Sequence, residues 1–160
     1  MIIKKIKLDD LKPNPNNSRI HSDHQIELIA SSIKEFGFVN PILIDSEGNI
    51  IAGHCRFEAA KILSLSSVPC ITLTDLTPAQ IRAYTIADNA LALRSEWDIE
   101  ILKLEIEELN LLKFDIDLLG FDSNFLELIF DEESEESSEE SEQDPKDKSC
   151  KCPQCGFIFE

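Results

Sequence analysis

The sequence predicts an α+β domain followed by C-terminal helices and an acidic tail, and three observations carry that expectation. Short runs rich in Ile, Leu and Val recur at 2–8, 42–44, 50–52 and 68–73, each bounded by Pro, Gly, Asn, Asp or Ser. Between them lie stretches with apolar residues at 3–4 spacing behind recognisable caps. After residue 94 the composition turns strongly acidic. The expected division is a first domain over 1–97, an amphipathic helical extension over 98–130, a disordered acidic linker over 131–149 and a Cys-rich end over 150–160.

Ile2 to Leu8 alternates loosely and reads as a first strand. Leu11-Lys12-Pro13-Asn14-Pro15-Asn16-Asn17-Ser18-Arg19 is a turn built from two prolines and three asparagines, and it ends in an arginine. Ser22 and Gln25 match a capping box, which opens a helix with Ile26, Ile29, Ala30, Ile33 and Phe36 on one stripe and Gly37 at its end. His21 and His24 flank that cap and read as polar cap neighbours, since no Cys or carboxylate stands at a metal-ligand spacing from them. Ile42-Leu43-Ile44 and Ile50-Ile51-Ala52 form a hairpin around Asp45-Ser46-Glu47-Gly48-Asn49. A helix from His54 points Phe57, Ala60 and Leu63 inward, and Cys70 in the next strand is a small buried filler.

Thr77-Pro78-Ala79-Gln80 is a second capping box, with proline where its missing N–H costs nothing. Its helix carries two apolar stripes, Ile81/Tyr84/Leu91 and Ile86/Ala90/Leu93/Trp97, so burial on two sides is expected. Asp88 lies on the first stripe, where a carboxylate must be paired, protonated or bound to a cation. Either an ion pair with Arg19 or Arg56, or an Asp88–Asn89 oxygen pair holding Mg²⁺ against phosphates, meets that need. Asp98 caps a further helix with Ile101, Leu104, Ile106, Leu109 and Leu112 among glutamates. The segment from Phe114 to Phe130 repeats the style with a break at Gly120.

The formal charge of -16 is unevenly spread. Residues 1–94 carry ten Lys/Arg against ten Asp/Glu, residues 95–130 two against ten, and residues 131–160 three against eleven. A broad basic nucleic-acid footprint is therefore absent, and DNA contact would need a local patch, an ion or a partner protein. No apolar run approaches the ~20 residues that span a bilayer. Met1 to Lys7 is too short and charged for a signal peptide. Five cysteines, three of them at the end, do not make a secreted disulfide framework. A cytoplasmic protein without a membrane role is expected. Cys152-Pro-Gln-Cys155-Gly has zinc-knuckle spacing, with Cys150 as a third thiol. The fourth zinc ligand would come from a second chain or a distant His; free reduced thiols are the alternative.

The densest chemistry lies at Gly53-His54-Cys55-Arg56. A glycine between a buried strand and a helix lets the backbone turn sharply and approach a ligand. The helix start behind it offers unpaired N–H groups to an anion, and Arg56 adds a planar fork for phosphate oxygens. A plain strand–turn–helix corner with a surface Arg fits the same residues.

Four pieces in order, LKPNPNNSR, EFGFVNPILI, GNIIAGHCRFEAAKIL with VPCITL, and TPAQIRAYTIADNALALRSEWD, resemble the ParB N-terminal domain of the ParB/sulfiredoxin superfamily over residues 8–94. The last piece is most similar to the phage and plasmid type often found with DNA methyltransferases. The resemblance implies a small mixed β-sheet flanked by helices, with a nucleotide at the glycine turn. Gly53, His54 and Arg56 would meet the phosphates, Arg19, Gly37 and the Asn40-Pro41 turn would line the site, and Asp88 with Asn89 would carry the Mg²⁺ function. CTP or ATP is the implied nucleotide, with slow hydrolysis in some relatives and a homodimeric clamp on DNA. This chain departs from segregation-type ParB, which has Glu-Arg-Arg where His54-Cys55-Arg56 stands here. Asn40 replaces a usual Gln, Ala92 a common Arg, and no helix-turn-helix is expected after residue 97. Sulfiredoxins carry Gly-Cys-His-Arg at this turn, so a Cys55 with a lowered pKa beside Arg56 is a further reading.

Three functions follow. The leading one is a nucleotide-binding module that works with DNA partition or modification machinery, directly on DNA or through a partner such as a DNA methyltransferase. The second is a metal-dependent nuclease or phosphotransferase with His54, Glu58 and Asp88 as its catalytic candidates. The third is an interaction protein that uses the acidic helices.

Overall fold

A computed structural model of the chain describes residues 2–131, 150–151 and 158–159. The chain divides into two compact units, Met1–Phe121 and Asp122–Glu160.

In the first unit, β1 (Ile3–Lys7), β2 (Ile42–Ile44), β3 (Ile50–Ala52) and β4 (Ser67–Thr72) form one mixed sheet in the order β1-β4-β2-β3. β1 runs antiparallel to β4 and β2 antiparallel to β3, while β2 and β4 are parallel. The β2–β3 hairpin turns on Asp45, whose Oδ1 accepts the N–H groups of Glu47 and Asn49 at 2.8 Å each. Asp45 Oδ2 accepts from Asn49 Nδ2 at 2.7 Å. Gly48 has φ +84, and a Cβ there would stand 2.8 Å from the Asp10 carbonyl oxygen, so this turn both needs and exploits glycine. The Lys12 N–H bonds to the Gly48 carbonyl at 2.9 Å and the Ile50 N–H to the Lys12 carbonyl at 2.8 Å. These bonds anchor the foot of the asparagine loop on the hairpin.

The core is Ile42, Ile44, Ile50, Val68 and Cys70 of the sheet with Leu11, Phe57 and Ala60. Full burial of a side chain such as Ile42 or Phe57 contributes about 1.5–3 kcal/mol. Cys70 is the small filler expected, with its thiol 3.6 Å from the Val68 carbonyl.

α1 (Asp23–Phe36) and α2 (His54–Ile62) pack on each other. Ser22 caps α1 by accepting the Gln25 N–H at 3.2 Å, but the reciprocal half of the capping box is absent. The Gln25 side chain is engaged by His21 Nδ1 at 2.9 Å instead. α3 (Pro78–Ala92) has the complete box on Thr77 and Gln80. Its expected burial on two sides is not found: Thr85 is its one buried residue, and Ile86 and Leu91 are 61% and 68% exposed. Both stripes are apolar, but the packing of α3 is chiefly on β3. The helix also stops at Ala92, which leaves Leu93 and Trp97 outside it.

α4 (Ile99–Leu111) is capped by Asp98, which accepts the Ile101 N–H at 3.2 Å. It buries Ile106 and leaves Ile101 and Leu104 open to solvent. A 3-10 turn at Ile116–Leu119 ends at Gly120, where a helix break was expected. Phe114 of this segment stacks on Phe36 with 5.9 Å between ring centroids. In the second unit, α5 (Ser123–Asp131) begins after Asp122, which accepts the Phe125 N–H at 2.7 Å. β5 (Cys150–Lys151) and β6 (Ile158–Phe159) pair antiparallel. The expected linker over 131–149 falls, past Asp131, outside the described residues. No helix among the described residues is long and apolar enough to cross a membrane.

Candidate functional site

A cavity of about 430 Å³ opens where the asparagine loop, α1, the segment after α1, the start of α2 and the end of α3 meet. That volume lies in the ordinary range of small-molecule sites, about 300–1,000 Å³.

Its floor is the strand–turn–helix corner. Gly53 takes φ 101 and ψ 26, a left-handed conformation that few side chains tolerate. It stands at the N-cap of α2 with no side-chain cap, so the first N–H groups of that helix keep their capacity for an outside acceptor. The Arg56 guanidinium folds back over this glycine. A Cβ on Gly53 would lie 2.9 Å from Arg56 Nη2 and 3.0 Å from Nε. Missing side chain and folded arginine therefore form one cradle of N–H donors. Burial pushes the Arg56 pKa down, and the fields of Asp88 and Cys55 partly restore it.

Arg19 arrives from the asparagine loop and Gly37 and Asn40 from the chain after α1. Asp88 and Asn89 come from α3, which Thr85 fastens in place. The Thr85 hydroxyl, buried, lies 3.2 Å from the Ile51 carbonyl of β3 and 3.0 Å from the Ile81 carbonyl. Asn89 Nδ2 donates to the Thr85 carbonyl at 2.9 Å, and Tyr84 OH donates to Asp88 Oδ1 at 3.4 Å. Asp88 is exposed at the rim rather than buried on an apolar stripe, so water meets part of its need for partners. No ion pair joins it to Arg19 or Arg56 among the described residues.

Of the nine nucleotide-site residues the sequence nominated, Arg19, Gly37, Asn40, Gly53, His54, Arg56, Asp88 and Asn89 line this cavity, and Pro41 does not. Pro41 only leads Asn40 into β2. Among the catalytic candidates, His54 and Asp88 are in the cavity but Glu58 is not. The Glu58 carboxylate pairs with Lys61 Nζ at 3.0 Å one turn along α2, and half-exposed it reaches His54 only as a field. Cys55 lines the cavity, but burial pushes its thiol up despite the opposing pull of Arg56, the reverse of an activated thiolate.

The zinc expectation at Cys152 and Cys155 lies outside the described residues, and of Cys150 only the strand is described. Among the described residues no group of three or more His, Cys, Asp or Glu is placed to hold a metal ion.

Sequence reasoning missed His21, Asn17, Gln25 and Ser32, all of which line the cavity. His21 reads from the sequence as a cap neighbour because no metal-ligand partner stands near it, and nothing in the linear pattern shows that it and Gln25 line one cavity with Gly53.

Comparison with known proteins bears on this arrangement. A family model described as the ParB N-terminal domain matches residues 1–90, and one described as the ParB-methyltransferase HTH domain matches residues 100–153. The second match corrects the expectation that no helix-turn-helix follows residue 97. The chain is 49% identical over 73 residues to the ParB-like nuclease domain-containing protein YnaK of Escherichia coli, covering 46% of this chain and 84% of that protein. It is 32% identical over 91 residues to the stage 0 sporulation protein J of Bacillus subtilis, covering 54% of this chain and 32% of that one. It spans 25% of a probable chromosome-partitioning protein ParB of Rickettsia bellii, at 38% identity. Among solved structures, truncated ParB of Caulobacter crescentus complexed with CTP-gamma-S superposes with a TM-score of 0.60 at 24% identity, covering 68% of this chain and 63% of that one.

Proposed function

Because the chain belongs to the ParB N-terminal-domain family, we propose that residues 1–97 are a nucleotide-binding module. It takes CTP or ATP with Mg²⁺ and acts with the DNA-partition or DNA-modification machinery of a phage- or plasmid-type element. One observation carries this reading: the Arg56 guanidinium lies over the bare Cα of Gly53 at an uncapped helix start, facing a cavity that also holds Arg19. Two guanidinium groups and free backbone N–H groups match a polyphosphate rather than a neutral ligand. The Caulobacter relative was solved with CTP-gamma-S, which makes CTP the first candidate.

Asp88 and Asn89 stand on the cavity wall formed by α3. Mg²⁺ is commonly held by one or two carboxylates together with phosphates, so these two side chains would orient it. When bound, it would supply neutralising charge between the phosphates and the Asp88 carboxylate. The match over residues 100–153 supports contact with DNA or a methyltransferase through that segment. Zinc at Cys150, Cys152 and Cys155 belongs to this proposal too, and zinc content lost in Cys152→Ser would test it.

Titration of the full chain with CTP, ATP and GTP, with and without Mg²⁺, tests the reading. Saturable, Mg²⁺-dependent binding to one nucleotide is expected, and no binding to any of the three overturns it. The name of the E. coli relative favours a second reading, a nuclease. In that case Mg²⁺ or Mn²⁺ should support nicking of supercoiled DNA, and Asp88→Ala should abolish it.

A further inference from the structure

The asparagine loop brings Arg19 to the cavity, and its attachment is unusual. Among the described residues, one hydrogen bond ties residues 13–20 to a distant part of the chain: the Asn14 N–H donates to His54 Nε2 at 3.3 Å. From Asn14 a relay of local bonds runs to Arg19. Asn14 Oδ1 accepts the Asn16 N–H at 2.9 Å, and the Asn14 carbonyl accepts the Asn17 N–H at 3.1 Å. Asn17 in turn brackets Arg19, with Oδ1 taking its N–H at 3.3 Å and Nδ2 donating to its carbonyl at 3.2 Å.

We infer that His54 is a positioning residue whose Nε2 latches the Asn14–Arg19 loop onto the glycine turn, so that Arg19 and Arg56 are presented to the same ligand. This differs from a direct phosphate contact. An Nε2 that accepts from Asn14 cannot at the same time donate to a phosphate, and the ring proton of the neutral form sits on Nδ1. The surroundings favour that neutral form. Burial lowers the affinity of His54 for a second proton and so does His21 on the loop entering α1, while Glu58 on α2 opposes them. Arg19, Arg56 and Asp88 are the other charged groups on the shared cavity.

Two roles for His54 therefore predict opposite responses. A phosphate ligand gains from protonation, because a cation attracts anions. A latch loses, because protonated Nε2 becomes a donor facing the Asn14 N–H. The inference rests on the nucleotide reading for its affinity arm only.

The test uses the full chain. Hydrogen exchange is followed at the Asn14, Asn17 and Arg19 amides without nucleotide, as protection relative to intrinsic rates, in wild type, His54→Gln and His54→Lys. Gln keeps an acceptor that does not titrate, and Lys supplies charge without an acceptor. Protection of Asn14 is expected to fall about tenfold in His54→Lys, to persist in His54→Gln, and in wild type to fall as the pH drops through the His54 pKa, which burial holds below the ordinary 6.5. Protection that is equal in wild type and His54→Lys, or that does not change in wild type when His54 becomes protonated, overturns the latch whether or not any nucleotide binds. In titrations with CTP, His54→Lys is expected to weaken binding about tenfold despite its charge. Unchanged or tighter binding by His54→Lys overturns the latch. Absence of CTP binding in wild type removes the nucleotide reading and leaves the exchange arm to decide.

Discussion

Replacement of Gly53 by alanine strikes the cradle at its base, and the structure gives its cost in two separable parts. The first is conformational. A residue with a Cβ held at φ 101 and ψ 26 pays about 1–2 kcal/mol. With about 3–4 °C of Tm per kcal/mol for a domain of this size, thermal unfolding should begin about 3–8 °C lower. The second is steric. The new methyl would lie 2.9 Å from Arg56 Nη2 and 3.0 Å from Nε, so the guanidinium must leave its place. A charge-assisted hydrogen bond contributes about 1.5–3 kcal/mol, so nucleotide affinity should fall about 10–100-fold, as in Arg56→Ala. The two changes should not add. With Arg56 already removed, Gly53→Ala has no guanidinium to displace, and the double variant should bind no worse than Arg56→Ala while still losing the conformational part of its Tm. Scanning calorimetry and titration on the four proteins of this cycle supply the assay. If Gly53→Ala melts with wild type, or if its affinity loss adds fully to that of Arg56→Ala, the cradle does not work as described.

Two further predictions concern the supports of the site. Thr85→Val keeps shape but strips the buried Ile51 carbonyl of its hydroxyl partner, which should cost about 1–3 kcal/mol in chemical denaturation, while Thr85→Ser recovers most of it. Equal stability of Thr85→Val and wild type would refute the idea that this bond fixes α3. At Asp45 burial raises the carboxyl pKa, but hydrogen bonds from Asn49 and Glu47 and the field of Lys12 outweigh it, and the net value lies below the usual 3.8. A depressed folded pKa means stability that is present above the unfolded value and lost as pH falls through the folded one. The Tm of wild type should therefore drop more steeply than that of Asp45→Asn as pH falls below about 4; parallel curves would contradict the assignment.

What the sequence made legible was local. The caps at Ser22, Thr77 and Asp98, the hairpin turn at Asp45 and the helix stop at Gly37 follow from short-range hydrogen bonding, which linear spacing records. The nearness of Gly53 and Arg56 was legible because both lie within one helical turn.

What the sequence hid was long-range. The Asn14–His54 bond joins residues 40 apart, and neither residue type announces the other. Nothing in the sequence marks Thr85, whose bond to the Ile51 carbonyl forms only with β3 beside it. Glu58 shared a helix with His54 and so seemed part of the same chemistry, but its partner one turn on is Lys61. The two apolar stripes on α3 were read correctly as apolar, and burial did not follow, because amphipathic pattern records what a face can cover and not whether anything lies against it.

If the cradle at Gly53 and Arg56 reads phosphates, affinity must depend on how many phosphates the ligand carries. Titration of the full chain with CTP, CDP and CMP in the presence of Mg²⁺ should give affinities that fall steeply with each phosphate removed, and Arg56→Ala should flatten that series. Equal affinity for CMP and CTP, or a series left unchanged by Arg56→Ala, would contradict the account.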